Sequence, residues 1–274
     1  MKKDARYLLA KKQSDRKITM LTCYDYPTAL LEDRAGIDII LVGDSLGTNI
    51  LGYQSEAEVT LEDIIHHLKA VRRGVSQAYI LADLPYGTYD TPERALDSAQ
   101  KLLFYGADGV KLEGLKKEVI AHLVNHGIDV CGHLGLLPQT HTKKTVRGKS
   151  FVEAKEIIEG ALTLETIGVF MLLFELIPEE VAKIITEKVK VPTIGIGAGR
   201  FTGGQVLIIN DILGITPRQL KLAKRYQDYQ SLTFQAIARY QEDVEQILFP
   251  ARENICPMPE AELKQLTQWV QQNF

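Results

Sequence analysis

Eight short apolar, β-rich runs alternating with stretches of helical periodicity constrain this chain more than any other feature. The runs fall at 18–23, 39–42, 78–82, 109–112, 129–132, 169–173, 193–197 and 206–209. Several are almost continuously apolar, as parallel strands buried on both faces read. Between them, single faces gather Leu61, Ile64, Ile65, Leu68 and Val71, then Ala95, Leu96, Ala99, Leu102 and Leu103. Further stripes are Val119, Ile120, Leu123 and Val124; Ala154, Ile157, Ile158, Ala161 and Leu162; and Val181, Ile184 and Ile185. Thr60 and Thr91-Pro92 are helix starts. Gly36, Gly106, Gly127 and Gly168 stand where a left-handed residue ends a helix. Eight such repeats predict an α/β fold, a (β/α)8 TIM barrel with a C-terminal helical extension. An open doubly wound sheet would need a longer strand-free region or a second domain. We expect one barrel domain over 1–274, with the barrel at about 16–216 and the helical extension at about 217–274. In that extension Leu220, Ala223, Tyr226, Ala236, Ile237, Tyr240, Val244 and Ile247 are spaced for one face, with a break near Asp228. Residues 250–274 read as a peripheral segment suited to an oligomer contact.

Composition narrows the function classes. The 274 residues carry a net charge of -3, so neither a nucleic-acid groove nor an anionic membrane surface is expected. Lys143, Lys144, Arg147 and Lys149 read as a solvated loop. Three widely spaced cysteines, Cys23, Cys131 and Cys256, fit a reducing compartment better than a disulfide framework. The start, Met1-Lys2-Lys3-Asp4, carries no signal-peptide pattern, and no apolar run reaches membrane-span length. A cytoplasmic protein acting on small molecules is the expectation.

A barrel enzyme keeps its chemistry at the C-terminal ends of its strands. Strand two ends in Asp44-Ser45 and strand three in Asp83. Strand four carries Lys111 and Glu113, His133 follows strand five, and strand six ends in Glu175. Acids at single strand ends also cap helices, but four on one barrel mouth repel each other without a cation. Asp44, Asp83 and Glu113 suit Mg²⁺, a hard ion that takes carboxylate oxygens and keeps positions open. With no His or Cys cluster beside them, Zn²⁺ is the poorer fit. Lys111 and Glu113 share strand parity and so point the same way, inward by the apolar character of Val110 and Leu112. They read either as a pair filling a barrel layer or as a substrate-holding cation beside a metal ligand. His133 reads as a hydrogen-bonded loop group or an accessory site residue. Cys131 reads as a small buried hydrophobe. The glycines of 195–199 lack phosphate-loop spacing and read as tight packing.

Ordered segments resemble the ketopantoate hydroxymethyltransferase family. Leu41-Val42-Gly43-Asp44-Ser45-Leu46-Gly47 resembles its LVGDSLG motif, and Ala82-Asp83-Leu84-Pro85-Tyr86-Gly87 its ADLPFGSY segment. Val110-Lys111-Leu112-Glu113-Gly114 resembles VKLEGG. Gly132-His133-Leu134-Gly135-Leu136 with Pro138-Gln139 resembles GHLGLTPQ. Phe174-Glu175-Leu176-Ile177-Pro178 resembles LECVP, and the stretches 194–199 and 204–207 resemble IGIGAG and GQVL. The family belongs with the phosphoenolpyruvate mutase/isocitrate lyase-like barrels.

The resemblance implies transfer of a hydroxymethyl group from 5,10-methylenetetrahydrofolate to 3-methyl-2-oxobutanoate. The product is 2-dehydropantoate (ketopantoate), the first step towards pantothenate and coenzyme A, formed through a Mg²⁺-stabilised enolate. It implies Asp44, Asp83 and Glu113 as the Mg²⁺ shell and Asp44, Ser45, Asp83 and Lys111 around the oxoacid. Glu175 is then the proton acceptor. It also implies a ring-based homo-oligomer, typically a decamer. The chain departs from the pattern in a shorter loop at about 140–149, in Leu137 where Thr is usual, in Thr202-Gly203 where Cys-Asp is common, and in Thr48-Asn49-Ile50. These departures keep a related Mg²⁺-dependent enolising enzyme or carbon–carbon lyase for another 2-oxoacid as the alternative.

Overall fold

A computed structural model describes residues 2–141, 143–216 and 221–274. Its strands are β1 (Ile18–Thr22), β2 (Ile39–Val42), β3 (Tyr79–Asp83), β4 (Gly109–Glu113), β5 (Val130–Gly135), β6 (Met171–Glu175), β7 (Thr193–Ile196) and β8 (Gly204–Leu207). They pair in parallel and in sequence order, and β8 pairs back to β1 to close the barrel. Closure removes every sheet edge. The helices are α1 (Ala5–Gln13), α2 (Tyr26–Ala35), α3 (Leu61–Gly74), α4 (Pro92–Phe104), α5 (Lys117–Asn125), α6 (Phe151–Ile167), α7 (Glu179–Lys188), α8 (Ile209–Leu213), α9 (Tyr229–Glu245) and α10 (Glu260–Asn273). The chain divides into two compact units, Met1–Gln227 and Asp228–Phe274.

Strand alternation sorts side chains into two apolar layers. Ile18, Met20, Ile39, Leu41, Tyr79, Leu81, Met171 and Leu173 fill the barrel interior. Ile40, Val42, Ile80, Val110, Leu112 and Leu172 face outward and pack with the helical stripes, among them Ile64, Leu68, Ala99, Leu102, Ile120 and Leu123. The caps follow the sequence. Thr60 accepts from the Asp63 amide and Asp63 accepts in return from the Thr60 amide, closing a capping box at the start of α3.

Helix α1 has no counterpart in the sequence reading. It is rich in charge and buries only Leu8, so no apolar stripe announces it. Leu8 packs with residues at the starts of the strands, which places α1 at the end of the barrel opposite the strand C-termini. Asp38 anchors it there, accepting from the Tyr7 hydroxyl at 3.0 Å and from the Lys11 ammonium at 2.6 Å. The predicted helical face through Leu220, Ala223 and Tyr226 is corrected in part. Residues 217–220 lie outside the described set, and 221–228 are not helical; helix resumes at Tyr229. Helices α9 and α10 bury no residue. Among the described residues no helix is long and apolar enough to cross a membrane. All three cysteines are free.

Glu32 stands out in the packing. It lies on the inner face of α2, 4% exposed, and neither carboxyl oxygen finds a hydrogen-bond partner. Burial first, then the neighbouring Asp25 charge, pushes its pKa from 4.5 up to about 9. The folded state therefore holds it neutral at pH 7, while the unfolded chain ionises it. Because the folded value is the higher one, its contribution is fully present below pH 4.5 and is lost as pH rises towards 9. The loss is at most about 1.4 kcal/mol per pH unit. Replacing Glu32 with Leu should raise the thermal midpoint above about pH 6 and flatten its fall between about pH 5 and 9. Parallel melting-versus-pH curves for the two proteins would show that Glu32 is not held neutral.

Candidate active site

The inward positions nearest the strand C-termini are polar. Lys111 and Glu113 on β4 both face the interior, as their shared parity predicts, with exposures of 5% and 3%. Asp83 ends β3, and Asp44 and Ser45 follow β2. His133 is not a loop residue. It is the fourth residue of β5 and points into the barrel, 2% exposed. Gly132 beside it serves packing, since a Cβ there would come within 2.7 Å of Leu164 Cδ1. Glu175 ends β6, and its side chain keeps 20% exposure, so it reaches the open mouth.

These groups form one connected set. The Asp44 backbone amide donates to Asp83 Oδ2 at 3.0 Å. The approach depends on Gly43, where a Cβ would lie 3.2 Å from that oxygen. Lys111 Nζ stands 3.1 Å from Asp83 Oδ1, an ion pair directed too poorly for a hydrogen bond, so this buried oxygen has no hydrogen-bond partner. His133 lies between two acids, with Nδ1 3.7 Å from Glu113 Oε1 and Nε2 3.5 Å from Glu175 Oε2. Ser45 is held by the Tyr24 hydroxyl at 2.9 Å.

Burial dominates the proton affinities. It raises Asp83 to about 7 against the lowering effect of Lys111, with Asp44 adding to the rise. It raises Glu113 to about 9 and Glu175 to about 7, again against Lys111. Burial and then Lys111 push His133 well below its ordinary 6.5, so the ring is neutral and its contacts are not ion pairs. Lys111 itself stays charged. Burial works against it, but Asp83, Asp44 and Glu113 together hold it above the usual lysine value. Cys131 lies lower in the apolar interior, where burial pushes its thiol up to about 12.

Sequence reasoning missed several contributors. Gln139 donates from its side chain to Asp44 and from its backbone to Glu113. Tyr24 and Tyr89 bring hydroxyls to Ser45 and Gln139. Lys144 belongs to the basic run expected to be solvated. Instead its ammonium pairs at 2.7 Å with Glu56, a buried residue of the 43–60 connection. Nothing local in the sequence links residues so far apart. The glycines of 195–199 do pack tightly, with Gly195 against Thr202 and Gly199 against Glu179.

The donor set fits a hard divalent cation. Oxygen ligands from carboxylates are what Mg²⁺ takes, and Asp83 Oδ1 is a buried acceptor without a hydrogen bond. Among the described residues, no three His, Cys, Asp or Glu side chains already form a closed metal cage. An open Mg²⁺ position needs only one or two carboxylates, with water and substrate completing the shell.

The fold and the site together define a barrel enzyme whose buried acids surround a fixed lysine cation at the strand C-termini. Comparison with known proteins gives the family. The model for ketopantoate hydroxymethyltransferase matches residues 2–252. A 3-methyl-2-oxobutanoate hydroxymethyltransferase of Thermoanaerobacter sp. (strain X514) is 46% identical over 261 residues, covering 92% of this chain and 95% of that protein. One from Thermosipho africanus (strain TCF52B) is 44% identical over 254 residues, covering 90% and 96%. The chain belongs to the ketopantoate hydroxymethyltransferase family and is an enzyme. Among solved structures, a phosphonopyruvate hydrolase in complex with oxalate and Mg²⁺ matches with a TM-score of 0.61 and 11% identity over 99% of both chains. A phosphoenolpyruvate phosphomutase from Streptomyces platensis subsp. rosaceus matches with a TM-score of 0.60 and 11% identity, covering 98% of each chain. At that identity the likeness concerns the barrel fold.

Because Lys111 opposes the rise of Glu175, Lys111→Met should move the Glu175 titration above 7. Carboxyl ¹³C shifts followed against pH read this directly. An unmoved midpoint would mean that the lysine charge does not reach Glu175.

Proposed function

We propose that the enzyme transfers a hydroxymethyl group from 5,10-methylenetetrahydrofolate to 3-methyl-2-oxobutanoate, giving 2-dehydropantoate for pantothenate and coenzyme A synthesis. The observation that carries this reading is Glu175. It is a carboxyl raised to about 7 by burial against the lowering charge of Lys111, at the open end of the barrel and 3.5 Å from His133. A general base works best with a pKa near the working pH. The family and the relatives named for this reaction support the substrate.

Asp44 and Asp83 would hold Mg²⁺, with Glu113 at the edge of its shell. When bound, the ion supplies a Lewis acid for the keto oxygen and carboxylate of the oxoacid. The chain's own groups do the rest. Lys111 and Ser45 bind and orient the oxoacid carboxylate. Glu175 takes the C3 proton, and the electron pair moves towards the keto oxygen. C3 then bonds to the folate one-carbon unit as the carbon–nitrogen bonds to the folate break, and water supplies the hydroxyl oxygen. Neutral His133 lies against Glu175, and burial and Lys111 make its ring a poor proton acceptor, so the glutamate acts as the base. The three unpaired cysteines suit a cytoplasmic setting.

The assembly in this reading is a homo-oligomer, a decamer by family resemblance. Supporting it, α9 and α10 leave large apolar side chains exposed, among them Leu232, Ile237, Tyr240, Leu266 and Trp269. Apolar surface of this kind commonly marks an interface. Ile237→Asp with Tyr240→Ser should lower the mass found by light scattering. An unchanged mass would exclude this face from the assembly contact.

Turnover is tested with purified protein, both substrates and Mg²⁺. Ketopantoate should form, stop on chelation, and be lost in Glu175→Gln by about 10²–10⁴-fold, the usual worth of a general base. Wild-type Mg²⁺ affinity in that variant is part of the expectation. Retained turnover in Glu175→Gln would remove it from the base role.

A further inference from the structure

We propose that Gln139 is a positioning residue that sets which carboxylate oxygens face the cation. The proposal rests on the reading of Asp44, Asp83 and Glu113 as the cation's surroundings.

Gln139 is 4% exposed and lies just beyond β5. Its side-chain amide has two N–H groups and one oxygen to satisfy. Nε2 donates to Asp44 Oδ2 at 2.7 Å and to the Leu84 carbonyl at 3.0 Å. Oε1 accepts from the Tyr89 hydroxyl. The amide cannot be turned over, because Oε1 would then face two acceptors and Nε2 would lose both partners. The Leu84 carbonyl thus helps to set the sense of the amide, the Tyr89 hydroxyl holds its oxygen, and the amide holds Asp44. The backbone of the same residue donates to Glu113 Oε2 at 3.2 Å. One residue therefore holds two of the three carboxylates, which come from different strands.

The bonds also select oxygens. Asp44 Oδ2 is taken by Gln139, and Asp83 Oδ2 by the Asp44 amide. Asp44 Oδ1 and Asp83 Oδ1 are the oxygens left to meet a cation, the second of them shared with the Lys111 ammonium at 3.1 Å. The arrangement prepares one oxygen from each aspartate before any ion arrives. Without the Gln139 donor, Asp44 could rotate, and the alignment would have to be made during binding at an entropic cost.

A buried glutamine also satisfies a simpler role, that of holding the 136–150 connection in place. The two roles differ in what they change. Loss of a partner that orients a metal ligand weakens metal affinity by about 10–100-fold. A merely structural residue would lower the stability of the metal-free protein instead.

The test measures Mn²⁺ binding to the full-length protein by electron paramagnetic resonance and calorimetry, with thermal midpoints of the metal-free forms. Gln139→Met keeps the volume and removes the donor; Tyr89→Phe removes only the hydroxyl that holds the amide oxygen. We expect the Mn²⁺ Kd to rise by at least about tenfold in Gln139→Met. A smaller rise of the same sign is expected in Tyr89→Phe, with metal-free midpoints near wild type and turnover restored towards wild type at saturating metal. Unchanged Kd in both variants overturns the inference, as does an affinity loss matched by a fall in metal-free stability in both. Should Gln139→Met fail to fold, Tyr89→Phe alone decides by the same two readouts. Failure of the wild-type protein to bind Mn²⁺ would refute the cation reading itself, a separate result from equal binding by wild type and variants.

Discussion

The site is organised around a buried positive charge. Lys111 sits on β4 with its ammonium 3.1 Å from Asp83 and is almost wholly enclosed. Alone in that position a lysine would lose its proton, since removing an ion from water costs several kcal/mol. Asp83, Asp44 and Glu113 keep it charged. The dependence runs both ways, because Lys111 lowers the proton affinity of Asp83, Glu113 and Glu175, which burial alone would raise further. The lysine and the acids thus stand as a unit. It disfavours protonated His133 and leaves Glu175, at the more open end, near the middle of its titration at neutral pH.

Much of this was legible in the sequence because it follows from local periodicity. The strands appear as short apolar runs since both faces of each are covered. Parity alone put Lys111 and Glu113 on one side of β4, and the apolar residues between them chose the inner side. Strand ends fixed the positions of Asp44, Asp83 and Glu175. His133 was harder, because Gly132 and Gly135 resemble a turn. The physical need is that α6 packs close to β5, where Leu164 takes the space of a side chain at 132.

What was hidden depends on contacts between distant segments. The Gln139 amide joins β5's exit to the β2 end, 95 residues away in sequence, and Lys144 reaches Glu56 across 88. No spacing rule relates such pairs. The basic run 143–149 read as solvent-facing because its charge said so, yet one ammonium finds a buried carboxylate. Helix α1 was missed for the opposite reason. Its polar residues serve Asp38 and its single buried leucine makes no stripe.

In the proposed reaction the chemistry begins with loss of a proton beside a 2-oxo group. The most direct measurement is exchange of the C3 proton of 3-methyl-2-oxobutanoate in D₂O, followed by NMR without any folate. It isolates proton removal from one-carbon transfer. Divalent-cation-dependent exchange that rises with pH through about 7 and vanishes in Glu175→Gln is the predicted result. No exchange by the metal-loaded wild-type enzyme, or full exchange without Glu175, would contradict the account.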